Sequence, residues 1–108
     1  GMAPPRWSQI KRRLKWLWGR EAMIAITEAT EERAPPRPLS ARAFVLASML
    51  PFDYALRCKL LAMTSGRDRW MLIADLLGDW LEVAKQRRLA EEASEAARPR
   101  AARLNPEL

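Results

Sequence analysis

Trp7, Lys11, Arg12, Lys15, Trp16 and Trp18 carry most of the chemical content of this chain, because indole rings there alternate with cations and no Asp or Glu occurs within residues 1–20. Lysine and arginine in such a pattern can neutralise phosphates while a ring stacks on a base. The same arm can lie on anionic lipid with its tryptophans at headgroup level. It can also fold back and complete an apolar core, or meet a dedicated protein partner. Types and spacing leave all four uses open. Bond-making chemistry lacks its usual groups. The chain has no histidine, so the common acid–base residue at neutral pH is missing. Cys58 stands alone, which provides neither a zinc site nor a Cys–His nucleophile. The four glycines are isolated, so no phosphate-cradling loop forms. The acidic residues run along helix faces beside Lys or Arg, and no two carboxylates form a couple. A non-catalytic protein is expected, without cofactor, metal or small-molecule substrate.

A chain of 108 residues suffices for one domain and one core. Gly1-Met2 reads as a cleavage scar ahead of a native start. Glycine is scarce, and the abundant Ala, Leu, Arg and Glu favour helices because they lose little rotamer freedom there. No window alternates polar and apolar residues for long enough to make a strand. The longest apolar stretch, Ala43 to Phe52, is interrupted by Ser48 and Pro51 and falls well short of the about 20 residues that span a bilayer. The N-terminus shows no secretion signal, and a single cysteine fits a reducing compartment, so a cytoplasmic location is expected. Net charge is +6, unevenly placed. Six of the 19 basic residues lie in residues 1–20, so the other 13 balance all 13 acidic residues. A basic arm on a neutral body points to an anionic partner surface: nucleic acid, membrane or an acidic protein.

Helices must position that arm. Ser8 is a fair N-cap for a first helix in which Ile10, Leu14 and Leu17 recur at helical spacing, with Trp7 one turn earlier. Gly19 interrupts, and a second helix over Arg20–Arg33 groups Met23, Ile24 and Ile26. Ala34-Pro35-Pro36-Arg37-Pro38 is a stiff linker. Ser40 caps a third helix, Ala41 to Leu50, apolar on most of its surface and so expected to be buried. Pro51 stops it. Asp53 caps a short helix, Tyr54 to Met63, in which Cys58 is expected to pack inertly. Ser65, with Asp68 three residues later, resembles a capping box opening the longest helix. There Trp70, Ile73, Leu77, Trp80 and Ala84 recur at steps of three and four. The pattern fades after Lys85, and Arg98-Pro99 marks the end. Arg87, Arg88 and the Arg98, Arg100 and Arg103 cluster read as solvated, able to extend a nucleic-acid footprint.

The stretch AFVLASMLPFDYALRCKLLAMTSGRDRWMLIADLLGDWL, residues 43–81, resembles the helical second half of the N-terminal, substrate-binding domain of Lon proteases. Leu50-Pro51-Phe52 matches that family's Leu-Pro-Leu or Met-Pro-Leu element and Leu60-Leu61 its next helix. Thr64-Ser65-Gly66 fills the turn, Asp68-Arg69-Trp70 stands where the family has Glu-Arg-Leu, and Leu76-Leu77 continues the long helix. The β-rich first half, the nucleotide-binding module and the serine–lysine peptidase domain have no counterpart here. The resemblance therefore implies a free-standing recognition module, an adaptor or regulator, and carries over neither proteolysis nor ATP hydrolysis.

The expected fold is all-α, a small bundle of four to five helices with a long C-terminal helix. The expected organisation is a disordered N-terminus at 1–7, basic Trp-rich helices at 8–33, a Pro-rich linker at 34–39, a helical core module at 40–95 and a disordered tail at 96–108. Leu50, Pro51, Phe52, Leu60, Leu61, Trp70, Ile73, Leu77 and Trp80 are expected to pack the core. The apolar side chains between Phe44 and Leu81 do not by themselves offset the entropy of ordering that segment. Another apolar surface is needed, from the N-terminal helices or from a second copy. A protein-interaction module, self-associating through the long helix or the N-terminal helices, is the leading expectation; nucleic acid and an anionic membrane surface reached through residues 7–18 are the alternatives.

Overall fold

The computed structural model describes residues 4–33 and 39–104, with 99–104 as backbone alone. Five helices follow one another: α1 (Trp7–Trp18), α2 (Arg20–Arg33), α3 (Leu39–Met49), α4 (Tyr54–Ala62) and α5 (Gly66–Leu104). There is no strand among the described residues. The molecule is an all-α bundle with a long C-terminal helix. At 1.5 Å per residue the 39 residues of α5 span about 58 Å, which sets the longest of the 62 × 29 × 25 Å extents.

α1 opens one residue before the expected cap. Arg6 is the N-cap, and its backbone N–H donates to Gln9 Oε1 at 2.9 Å. Ser8 is exposed inside the first turn. Gly19 closes α1 with φ +92, a conformation costly to any residue bearing a Cβ, and its N–H donates to the Lys15 carbonyl at 2.7 Å. The chain can therefore turn directly into α2. Residues 34–38 of the expected linker lie outside the described residues, and Leu39 already belongs to α3. Asp53 caps α4 as expected, and Ser65 with Asp68 makes one of the two bonds of the expected capping box. Asp53 Oδ1 accepts from Leu56 N–H at 2.8 Å, and Ser65 Oγ accepts from Asp68 N–H at 3.1 Å.

The core lies where α1, α3 and α5 meet, with Leu60 of α4 closing one end. Ile10 and Leu14 of α1 are wholly buried, as are Leu46 of α3 and Ile73 and Leu77 of α5. The apolar surface that the middle segment lacks thus comes from α1. Gly66 lets α5 start against α3, because a Cβ there would overlap that of Ser40. α2 packs on α1 and α3 only at its Met23–Ile26 side, and its one fully buried residue, Thr30, turns its hydroxyl back to the Ile26 carbonyl at 2.7 Å.

Of the residues expected in the core, Leu50, Phe52, Leu60, Trp70, Ile73 and Leu77 are buried, while Leu61 and Trp80 are partly buried against them. Pro51 is exposed. It ends α3 at the surface, where its missing N–H costs nothing, and the core contact is made by its neighbours. Cys58 is exposed too, because α4 turns Leu56 and Leu60 inward and the thiol falls on the other side. The segment before α1 is ordered from Pro4: the Pro5 carbonyl accepts from Trp70 Nε1 at 2.8 Å. At the other end, α5 continues through Pro99 to Leu104 instead of stopping at Arg98. Pro99 removes one N–H from the ladder, but Ala96, Ala97, Ala101 and Ala102 around it are the strongest helix formers.

Candidate functional site

α1 is amphipathic in the strict sense that one stripe of it is core and the opposite stripe is cationic. Trp7, Ile10, Leu14 and Leu17 fall on the inner stripe at steps of three and four. Arg12, Lys15 and Trp16 are exposed outside it. Arg13 lies at the seam and anchors α1 to α5, its guanidinium donating to the Ala74 carbonyl at 2.7 Å.

Five of the six residues of the basic arm fall into three different settings. Trp7 is scaffold. Its ring lies 6.0 Å from that of Trp70, and the Arg42 guanidinium covers it at 4.7 Å. Arg42 is almost fully buried and sits 3.8 Å from Glu31 of α2. That ion pair is too long for a hydrogen bond, and Arg42 Nε and Nη1 and Trp7 Nε1 find no acceptor among the described residues.

Arg12, Lys15 and Trp16 come together with Gly19 and with Arg88 of α5 around a recess of about 520 Å3. Trp16 is 38% exposed. The Arg88 guanidinium lies 5.1 Å and the Lys85 ammonium 5.9 Å from its ring centre, within cation–π range. Lys11 is half-buried and does not line this recess.

Trp18 faces a second cleft of about 360 Å3, lined mainly by apolar groups: Leu17, Trp18, Pro51, Trp80, Val83 and Ala84, with Arg87 at its edge. Trp18 meets Trp80 edge to face at 5.9 Å, and Phe52 supports Trp80 from the core side at 5.1 Å. Val83 is 57% exposed in this cleft. No protein-family model, no curated protein and no solved structure matches the chain.

Pro51 reads in the sequence as core; Lys85 is not singled out there, and Arg87 and Arg88 read only as a solvated extension of a nucleic-acid footprint. Their signal was present as a Lys-Gln-Arg-Arg run, but its alignment with Trp16 and Trp18 depends on the register of α1 against α5. Among the described residues no group of three or more His, Cys, Asp or Glu could hold a metal ion. None of their helices is long and apolar enough to cross a membrane. The first recess is lined by cations around an indole ring, and the second mainly by apolar side chains.

Proposed function

We propose that the chain is a non-catalytic helical protein-interaction module, of the kind the Lon-like order of motifs implies, and that one partner is a second copy of itself. The observation that carries this is the second half of α5. Beyond Ala84 every residue of α5 whose side chain is described is exposed, including Leu89 at 59%. An unpartnered helix of this length is marginal in water.

Its charges are blocked. Lys85, Arg87 and Arg88 come first, and Glu91, Glu92 and Glu95 follow. Two such segments laid antiparallel set each basic block against the other's acidic block, whereas parallel pairing sets like against like. Trp80, Ala84, Arg87, Glu91 and Arg98 share one face at helical spacing, continuous with the Trp18–Trp80–Val83 cleft. In the antiparallel register Arg87 meets Glu91 of the other copy twice, by symmetry, and the partner helix runs into the cleft.

Membrane attachment through residues 7–18 is disfavoured by the burial of Ile10 and Leu14, which an interfacial helix would need to insert. A cytoplasmic setting suits the exposed, unpaired Cys58 thiol.

Sedimentation equilibrium on the full chain tests the pairing. Arg87→Glu and Glu91→Arg singly are expected to weaken the dimer about tenfold each, since each disturbs two symmetric contacts worth about 0.5–1 kcal/mol. The double reversal is expected to restore it. A monomer at every concentration, or single reversals without effect, would remove the proposal.

A further inference from the structure

We infer that the recess between α1 and α5 is a binding site for single-stranded nucleic acid, with Trp16 as the stacking platform and Arg12, Lys15, Lys85 and Arg88 as the phosphate contacts. Arg88 lies one turn after Ala84 and so borders the pairing face of α5, and Lys85 lies beyond it. Arg12, Lys15 and Arg88 line the recess from two helices, and Lys85 lies 5.9 Å from the Trp16 ring centre. The only ion pair among the described residues, Arg42–Glu31, lies elsewhere. Four carboxylates lie near in sequence, and none comes within 4.0 Å of the four cations. Glu91 and Glu92 are about one turn past Arg88, Glu21 lies two residues after Gly19, and Glu82 accepts from Gln86 at 3.2 Å. Like charges held one turn apart on α5 repel each other, so this arrangement gains from an anion.

The shape of the site selects among anions. The recess is of the size that takes small ligands, and Trp16 beside it is 38% exposed. Unpaired bases offer an aromatic face to such a ring, and successive phosphates offer acceptors to the flanking guanidinium groups. A duplex hides its base faces in the stack, leaving Trp16 nothing to stack against. A lipid surface rewards apolar insertion, but the apolar stripe of α1 is committed to the core. An acidic peptide matches the charge without using the ring.

The test is fluorescence anisotropy with labelled oligothymidine and oligouridine, each about a dozen nucleotides long, titrated with the full chain across a salt series. Four phosphate contacts give a log–log salt slope of about −3, at about −0.7 per contact for single strands. Trp16→Ala is expected to weaken binding at least about fivefold with the slope unchanged. Trp16→Phe should retain most of the affinity, and Arg88→Ala should reduce the slope by about 0.7. Circular dichroism of each variant should match the parent, since both side chains are exposed. The site would be overturned by Trp16→Ala binding as the parent does. An equal-length duplex binding as tightly, polyglutamate competing as well as oligothymidine, or binding to phosphatidylserine vesicles alone would each overturn it too.

Discussion

Arg69 shows how one side chain can set the geometry of a whole bundle. It is nearly buried, and its Nε donates to the Leu60 carbonyl at 2.7 Å while Nη2 donates to the Met63 carbonyl. Leu60 lies in the last turn of α4 and Met63 is its C-cap, whose N–H donates a longer bond to the Leu60 carbonyl at 3.4 Å. A cation at a helix C-terminus also complements the helix dipole. Replacing Arg69 with Met keeps the apolar stem and removes both donors, so it is expected to destabilise the fold by about 3 kcal/mol, read as a lower urea midpoint. An unchanged midpoint would show that water replaces the guanidinium. Asp53 and Ser65 were legible as caps in the sequence because their partners lie three residues away. Arg69, Arg42 and Arg57 were not. Arg57 bonds the Leu50 and Phe52 carbonyls at 3.0 and 3.3 Å, and its role, like that of Arg69, depends on how the helices around a turn are oriented. A composition that reads these arginines as surface charge misses the backbone groups they satisfy.

Among the elements, α1 is both wall and surface. Its inner stripe was legible from the spacing of Ile10, Leu14 and Leu17, and the need of the middle helices for further apolar cover pointed to it or to a second copy. What the spacing could not say is where α1 sits along α5. That register brings Trp16 to Arg88 and Trp18 to Trp80, and so divides one basic arm into two unlike clefts. Leu14 is the residue through which this docking is best tested. Leu14→Ala removes a fully buried side chain and is expected to cost about 2–5 kcal/mol in chemical denaturation. A loss below about 1 kcal/mol would mean that α1 contributes little to the fold. Pro51 and Cys58 follow the same logic in reverse, since both lie in apolar sequence yet face solvent.

At the scale of the molecule, the radius of gyration is 18.7 Å, well above the about 13 Å of a compact domain of this length. The excess comes from α5, whose N-terminal half is core and whose C-terminal half projects. The all-α class and the long last helix were legible, because composition and periodicity agree over every element. The end of α5 was not, because a helix that leaves its bundle has no burial pattern to mark where it stops. Both proposed surfaces share one requirement: α1 must hold its place on α5, so that its tryptophans and cations are aimed and not merely tethered. Hydrogen exchange in the native chain measures this directly. The amides of Leu14 to Trp18 are expected to exchange as slowly as those of Ile73 to Leu77, through opening of the whole fold. Exchange there at the rate of an unstructured peptide, while Ile73 to Leu77 stay protected, would contradict the account.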